Sequence, residues 1–203
     1  MRVIKQSDIN EIVLAFLQGE IESKRFSAEL TDALTKLKLD ESLILKPDLN
    51  NEIENELRAK VLGEFRGYGK NEDLFENFPV VEECVLMEAN FEDLNNIRYM
   101  NYSYWNELSN NTSNCLVAAK NIVNGKIVYD VSNQPFLSGV EFLKAGNKFK
   151  PLILFTADYQ TYVVLEGHSR LTVYGLAPEY FKNVECYIIK CSKEDLKKWN
   201  GEL

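Results

Sequence analysis

Apolar residues recur at helical spacing through the first third of the chain. Ile9, Ile12, Val13, Phe16 and Leu17 share one face of a helix that Ser7 or Asp8 can cap and that stops near Gly19. Phe26, Leu30, Leu34 and Leu37 repeat at steps of three and four, which predicts a second amphipathic helix. Leu43-Ile44-Leu45 is a short apolar run closed by Pro47. Asn51 to Phe65 reads as a third helix with Ile53, Leu57, Val61 and Leu62 facing inward, ending in the turn-rich segment 65–73. Residues 1–78 are therefore expected to form a mainly helical region.

From residue 79 the pattern changes. Val80 to Met87 reads as a strand, Asn90 with Asp93 opens a helix running through Ile97, and Asn114 to Val123 is helical up to Asn124-Gly125. Lys126 to Val131 reads as a strand, and Ser138 to Ala145 as a helix closed by Gly146. Residues 151–156 (PLILFT) are continuously apolar, as expected of a buried strand, and 161–165 (TYVVL) repeat the pattern after a four-residue turn. Leu171 to Leu176 has helical composition, Val184 to Ile189 is a third strand, and Ser192 caps a closing helix bearing Leu196 and Trp199. Strands mixed with helices over 79–203 predict an α+β domain with a small mixed sheet.

Composition and charge narrow the function classes. Residues 1–100 carry 21 acidic against 12 basic side chains, whereas 101–203 carry 10 against 11. Attraction to a phosphate backbone needs a basic face, so duplex DNA is a poor expectation for the primary partner. No stretch approaches the roughly 20 apolar residues of a membrane-spanning helix. The N-terminal segment lacks the features of a signal peptide, so a cytoplasmic location without membrane association is expected. Cys84, Cys115, Cys186 and Cys191 form no paired ligand spacing, and His168 is the one histidine. Reduced thiols packed as small hydrophobes are expected, with no metal site.

The chemistry concentrates in Glu166-Gly167-His168-Ser169-Arg170, where a buried strand passes into a helix. Free amides and the helix dipole make such a junction an anion site. Gly167 permits close backbone approach or a positive φ, and Arg170 offers planar paired donors to phosphate or carboxylate. Glu166 and His168 are the candidate proton acceptors, and Ser169 the candidate helix cap. Against each stands a plainer role: an Arg170 that caps or pairs with a surface carboxylate, a Glu166 in a structural ion pair beside arginine, a histidine bonded to nearby backbone, a serine that only caps.

The stretch 151–176 (PLILFTADYQTYVVLEGHSRLTVYGL) resembles the ParB/sulfiredoxin-like fold, in which two apolar strands lead into a Gly-x-x-Arg box that opens a helix. The resemblance covers residues 151–190, extends less closely back to about 80, and leaves out the N-terminal helices. In ParB-type proteins the box helps hold CTP, in sulfiredoxin it holds ATP phosphates, and free serine kinases carry a similar Gly-His-x-Arg box at their nucleotide site. The resemblance implies that Gly167, His168, Ser169 and Arg170 contact a nucleotide or another phosphate-bearing ligand, with Mg²⁺ as a companion ion. Glu166 takes a place often held by Asp or Gly. His168 stands where sulfiredoxin has its catalytic cysteine, which argues against sulfiredoxin chemistry. No long basic helix-turn-helix region follows residue 190, which argues against chromosome partition.

Two readings follow. One is a binding module whose small anionic ligand governs contact with a protein partner. The other is a nucleotide-dependent phosphotransferase or hydrolase with Glu166 or His168 as proton acceptor. Elsewhere, Phe65 to Lys70 reads as a mobile turn or a flap over the ligand. Tyr99, Tyr102, Tyr104 and Trp105 read as a base-stacking surface or as packing between the two halves. Glu52 and Glu56 lie on a solvated helix face, or hold a metal.

Overall fold

The computed structural model describes residues 1–23 and 25–201, and the chain has an α+β fold. It divides into two compact units, Ser7–Val80 and Met1–Gln6 with Val81–Leu203. Among the described residues no helix is long and apolar enough to cross a membrane.

The first unit is helical, with α1 (Ile9–Ile21), α2 (Ser27–Leu37), α3 (Ser42–Leu45) and α4 (Glu52–Arg66). Asp8, rather than Ser7, caps α1: its carboxylate accepts from the amides of Asn10 and Glu11 at 2.8 and 3.0 Å. The helix runs through Gly19 to Ile21, because one glycine costs only about 1 kcal/mol beside the burial of Phe16 and Leu17. Leu30, Leu34, Val61 and Leu62 complete the apolar seam. Ile53, expected inside, is 70% exposed.

The buried charge of α4 is instead Arg58, fully enclosed on a helix whose sequence reads as solvated. Its guanidinium donates to the Leu43 carbonyl within α3 at 3.1 Å, to the Asp48 carbonyl at 3.0 Å, and to the Glu54 carboxylate at 3.1 Å. A further bond goes to the Asn55 side chain. One side chain thus satisfies carbonyls that the α3–α4 connection leaves without helical partners.

The second unit is built on a six-stranded mixed sheet in the order β1-β2-β6-β4-β5-β3. The strands are β1 (Arg2–Ser7), β2 (Glu83–Ala89), β3 (Ile97–Arg98), β4 (Leu152–Thr156), β5 (Tyr162–Glu166) and β6 (Val184–Lys190). β2 is antiparallel to β6, β6 parallel to β4, β4 antiparallel to β5, and β5 parallel to β3. The central strands β4, β5 and β6 are those whose apolar runs stand out in the sequence, since burial on both faces demands such runs. One face packs on α7 (Cys115–Val123) and α9 (His168–Leu176) through Leu154, Val164, Ile188, Ala118 and Leu171. On the other face Phe155 meets Trp199 of α10 (Lys193–Asn200), ring centres 4.8 Å apart. Gly175 lets α9 approach α7 closely: a Cβ there would sit 2.6 Å from the Cys115 carbonyl oxygen.

Three further points differ from the sequence reading. Residues 2–7 form edge strand β1, whose side chains are exposed along almost its whole length and so leave no burial pattern to read. The helix after Asn90 has its expected capping box but ends early, as α5 (Phe91–Leu94), because Ile97 is drawn into β3 beside Tyr162. Lys126 to Val131 is not a strand but a tight turn closed by Val131 N to Val128 O at 3.0 Å, with Tyr129 and Asp130 at φ near +50° and +58°. The remaining α-helices among the described residues are α6 (Ser103–Leu108) and α8 (Gln134–Lys144).

Replacing Arg58 by alanine removes four bonds and strands buried carbonyls, and should destabilise the chain by about 3 kcal/mol. Urea unfolding of the full chain measures the loss. Arg58→Lys should recover little of it, since one ammonium cannot serve carbonyls at both 43 and 48.

Candidate functional site

The corner between β5 and α9 is shaped by Gly167. Its φ of +109° turns the chain sharply at the end of the strand, and a Cβ there would lie 2.5 Å from Leu152 Cδ2. Both facts require glycine. The Leu171 amide returns to the Gly167 carbonyl at 2.8 Å, starting the helix. The amides of His168, Ser169 and Arg170 carry no hydrogen bond among the described residues, as the first turn of a helix leaves them. Gly167 itself is the cap, with no side-chain bond. Ser169, expected to cap, lies two residues beyond the cap position and is exposed.

Arg170, one turn into α9, folds back over Gly167. Its Nη1 donates to the carbonyls of Lys150 and Pro151 at 2.8 and 2.6 Å, and its Nη2 to Glu166 Oε1 at 2.7 Å. The plainer reading of this arginine is therefore present: it pairs with Glu166 and staples the entry of β4 to the exit of β5. The register of β4 on β5 shifts between Ile153 and Leu154, directly beside this staple.

His168 does not face an open site. Its ring stacks on Trp105 at 5.2 Å and 16°, with Tyr99 at 6.2 Å and 14°. Its Nε2 is buried without a hydrogen-bond partner. Burial, and secondarily the charge of Arg170, lowers its pKa to about 3. A base that weak does not take protons near neutral pH. The Tyr99 hydroxyl meets Thr172 Oγ1 at 2.7 Å, and Thr172 donates to the His168 carbonyl at 2.9 Å, so the aromatic group is tied to α9 by bonds as well as by stacking.

The other candidates fall elsewhere. Tyr99 and Trp105 pack inside the α+β unit, stacked at 4.9 Å, while Tyr102 is exposed. Phe65 to Lys70 belongs to the helical unit: Gly67 ends α4 at φ +83°, and the following turn, with Leu37, Ala59, Gly63 and Tyr68, borders a cleft of about 470 Å³. Glu52 and Glu56 are exposed, and among the described residues no group of three His, Cys, Asp or Glu side chains is placed to hold a metal. All four cysteines are buried thiols outside any disulfide, and burial pushes the Cys115 and Cys191 thiols up to about 12. They pack as small hydrophobes.

Sequence reasoning missed two participants, the carbonyls of Lys150 and Pro151, because a backbone acceptor carries no residue signature. It also missed the pairing of Trp105 with His168. Both aromatic positions were legible, but nothing local links residues 63 apart. No protein-family model matches this chain, and neither a curated protein nor a solved structure is detectably similar to it.

The arrangement can hold an anion at the opening of α9, where unpartnered amides adjoin a guanidinium already bonded to a carboxylate. Proton transfer is poorly served, since Glu166 is engaged by Arg170 and the His168 Nε2 is buried.

The low pKa of His168 has a consequence for stability. Above pH 6.5 its ring is neutral folded and unfolded, and contributes no pH dependence. As pH falls from 6.5 towards 3 the unfolded chain takes up a proton that the folded chain refuses, so stability is lost over that window. Chemical unfolding at pH 7, 5 and 4 should show a smaller loss for His168→Phe than for the wild type.

Proposed function

We propose that this chain is a binding module for a nucleotide or another phosphate-bearing ligand, held at the opening of α9. The observation that carries the reading is Arg170, which already grips a carboxylate 2.7 Å away beside three amides without partners. A phosphate there would accept from the amides of His168, Ser169 and Arg170 and share the guanidinium. The likeness of residues 151–190 to ParB/sulfiredoxin-like domains supports the same ligand class. A Mg²⁺ ion would arrive with a polyphosphate rather than on a protein carboxylate cluster. The phosphotransferase or hydrolase alternative has less support, because neither of its proton acceptors is free to act.

Thermal shift and calorimetric titration against CTP, ATP, ADP and GTP with Mg²⁺ test binding, and product analysis tests turnover. Binding without product is expected. No response to any of the four would remove the reading. Ser169→Asp is the discriminating variant: a negative charge in the first turn favours the helix dipole but repels a bound anion. It should weaken binding at least tenfold while leaving the unliganded melting temperature unchanged or higher.

A further inference from the structure

We infer that this chain associates head to tail with a second copy of itself. The acidic, apolar surface at the α3–α4 connection of one copy docks on the basic, apolar surface at the α7–α8 turn of the other. The inference is independent of the anion-binding reading, and neither stands or falls with the other.

Each surface is read from its own unit. In the α+β unit Val123, Ile127, Tyr129, Val131 and Leu137 are exposed between the end of α7 and the first turn of α8, Val123 at 76% and Tyr129 at 64%. Single exposed apolar side chains are ordinary, whereas several gathered on one short segment mark an interaction surface. The segment is fastened in place: the Lys126 amide donates to the Asn121 carbonyl at 2.9 Å, Asn133 Nδ2 donates to the Lys126 carbonyl at 2.7 Å, and Val128 is buried. Tyr129 and Asp130 both have positive φ, at the centre of a turn closed by the Val131 amide on the Val128 carbonyl. This is type I′ geometry, for which Asn-Gly is the favoured pair. A tyrosine is held there against its backbone preference, and its side chain faces solvent rather than core.

In the helical unit Leu45, Leu49 and Ile53 are exposed, Ile53 at 70%. Asn55 Nδ2 donates to the Leu49 carbonyl at 2.9 Å and the Asp48 amide to Glu54 Oε2 at 3.0 Å, which holds the connection against the first turns of α4.

Charge selects the pairing. Within residues 120–150, Lys126 pairs with Glu107 at 3.0 Å and Lys144 with Glu141 at 2.8 Å; beyond those pairs Lys120, Lys148 and Lys150 stand against Asp130. Within residues 40–56, Glu54 pairs with Arg58 at 3.1 Å, and Asp40, Glu41, Asp48, Glu52 and Glu56 stand against Lys46. Two α7–α8 surfaces repel each other, as do two α3–α4 surfaces, and one of each attracts. Every copy carries both, so a second copy supplies what each surface lacks. Such a contact is heterologous and leaves one surface open at either end of the pair. Its apolar side chains are few, which places it at the small, weak end of specific interfaces.

Sedimentation velocity of the full chain at about 10 and about 500 µM, in about 50 and about 500 mM NaCl, tests this on wild type, Tyr129→Asn and Ile53→Gln. Asn suits the turn, so Tyr129→Asn should melt no lower than the wild type, and Ile53→Gln changes an exposed side chain; circular-dichroism melts check both. The wild type is expected to be monomeric at the lower concentration and to exceed monomer mass at the higher one, less so in high salt. Each variant alone should stay monomeric at both concentrations. An equimolar mixture of the two should form a dimer and nothing larger, because each supplies the surface the other has lost. A wild type that stays monomeric overturns the inference, as does association that high salt leaves unchanged or strengthens. Either variant associating like the wild type overturns it as well, Ile53→Gln doing so being the mark of two α7–α8 surfaces meeting face to face. A mixture that stays monomeric also overturns it. If either variant is unfolded, Lys148→Glu and Glu56→Lys, both at exposed positions, replace the pair under the same criteria.

Discussion

One guanidinium organises the corner on which the proposed binding function depends. Arg170 joins the backbone just before β4, the last side chain of β5 and the first turn of α9. Without it the carbonyls of Lys150 and Pro151 would each lose a charged donor, and charge-assisted bonds of this kind are worth about 1.5–3 kcal/mol. The absence of a side chain at Gly167 makes the arrangement possible, because Arg170 lies across the space that a Cβ would approach. The same residue is therefore scaffold and, in the proposed reading, ligand contact. Such doubling is economical but exacting: an incoming anion must work around bonds that the fold cannot give up.

The chain's overall charge of −8 bears on this corner less than its size suggests. At physiological ionic strength charges further than about 8 Å away are largely screened. What an anion would meet at the start of α9 is set by the amides, Arg170 and Glu166, and among the described residues Glu166 is the one negative group bonded to the guanidinium. The acidity of the first hundred residues disfavours a polyanion the length of DNA far more than it disfavours one small phosphate.

How much of this was legible depends on whether burial left a periodic mark. β4, β5 and β6 did, because sheet burial on both faces forces unbroken apolar runs, and the Gly167 turn was visible as the break between strand and helix. β1 was not visible, since Val3 and Ile4 are exposed and carry no alternation that a core would impose. Arg58 defeated the pattern in the opposite direction: charged residues on α4 read as solvent-facing, yet this one is enclosed by carbonyls that no side-chain motif announces. At the candidate site the residue types were readable. Their engagement was not, because the partners of Arg170 include backbone atoms 19 and 20 residues away.

The division of the chain gives β1 an unusual history. The strand lies beside β2 in the sheet, yet the whole helical unit, Ser7–Val80, intervenes between them in sequence. The helical unit is thus a loop with a fold of its own, and its two ends are fastened by one sheet. While it is folded, the connection between β1 and β2 is short in effect. If it melts, the same connection becomes a long flexible chain, and the entropy of closing it grows only as about (3/2)RT ln n. Melting one unit should loosen the sheet's edge by a modest, logarithmic amount rather than unravel it.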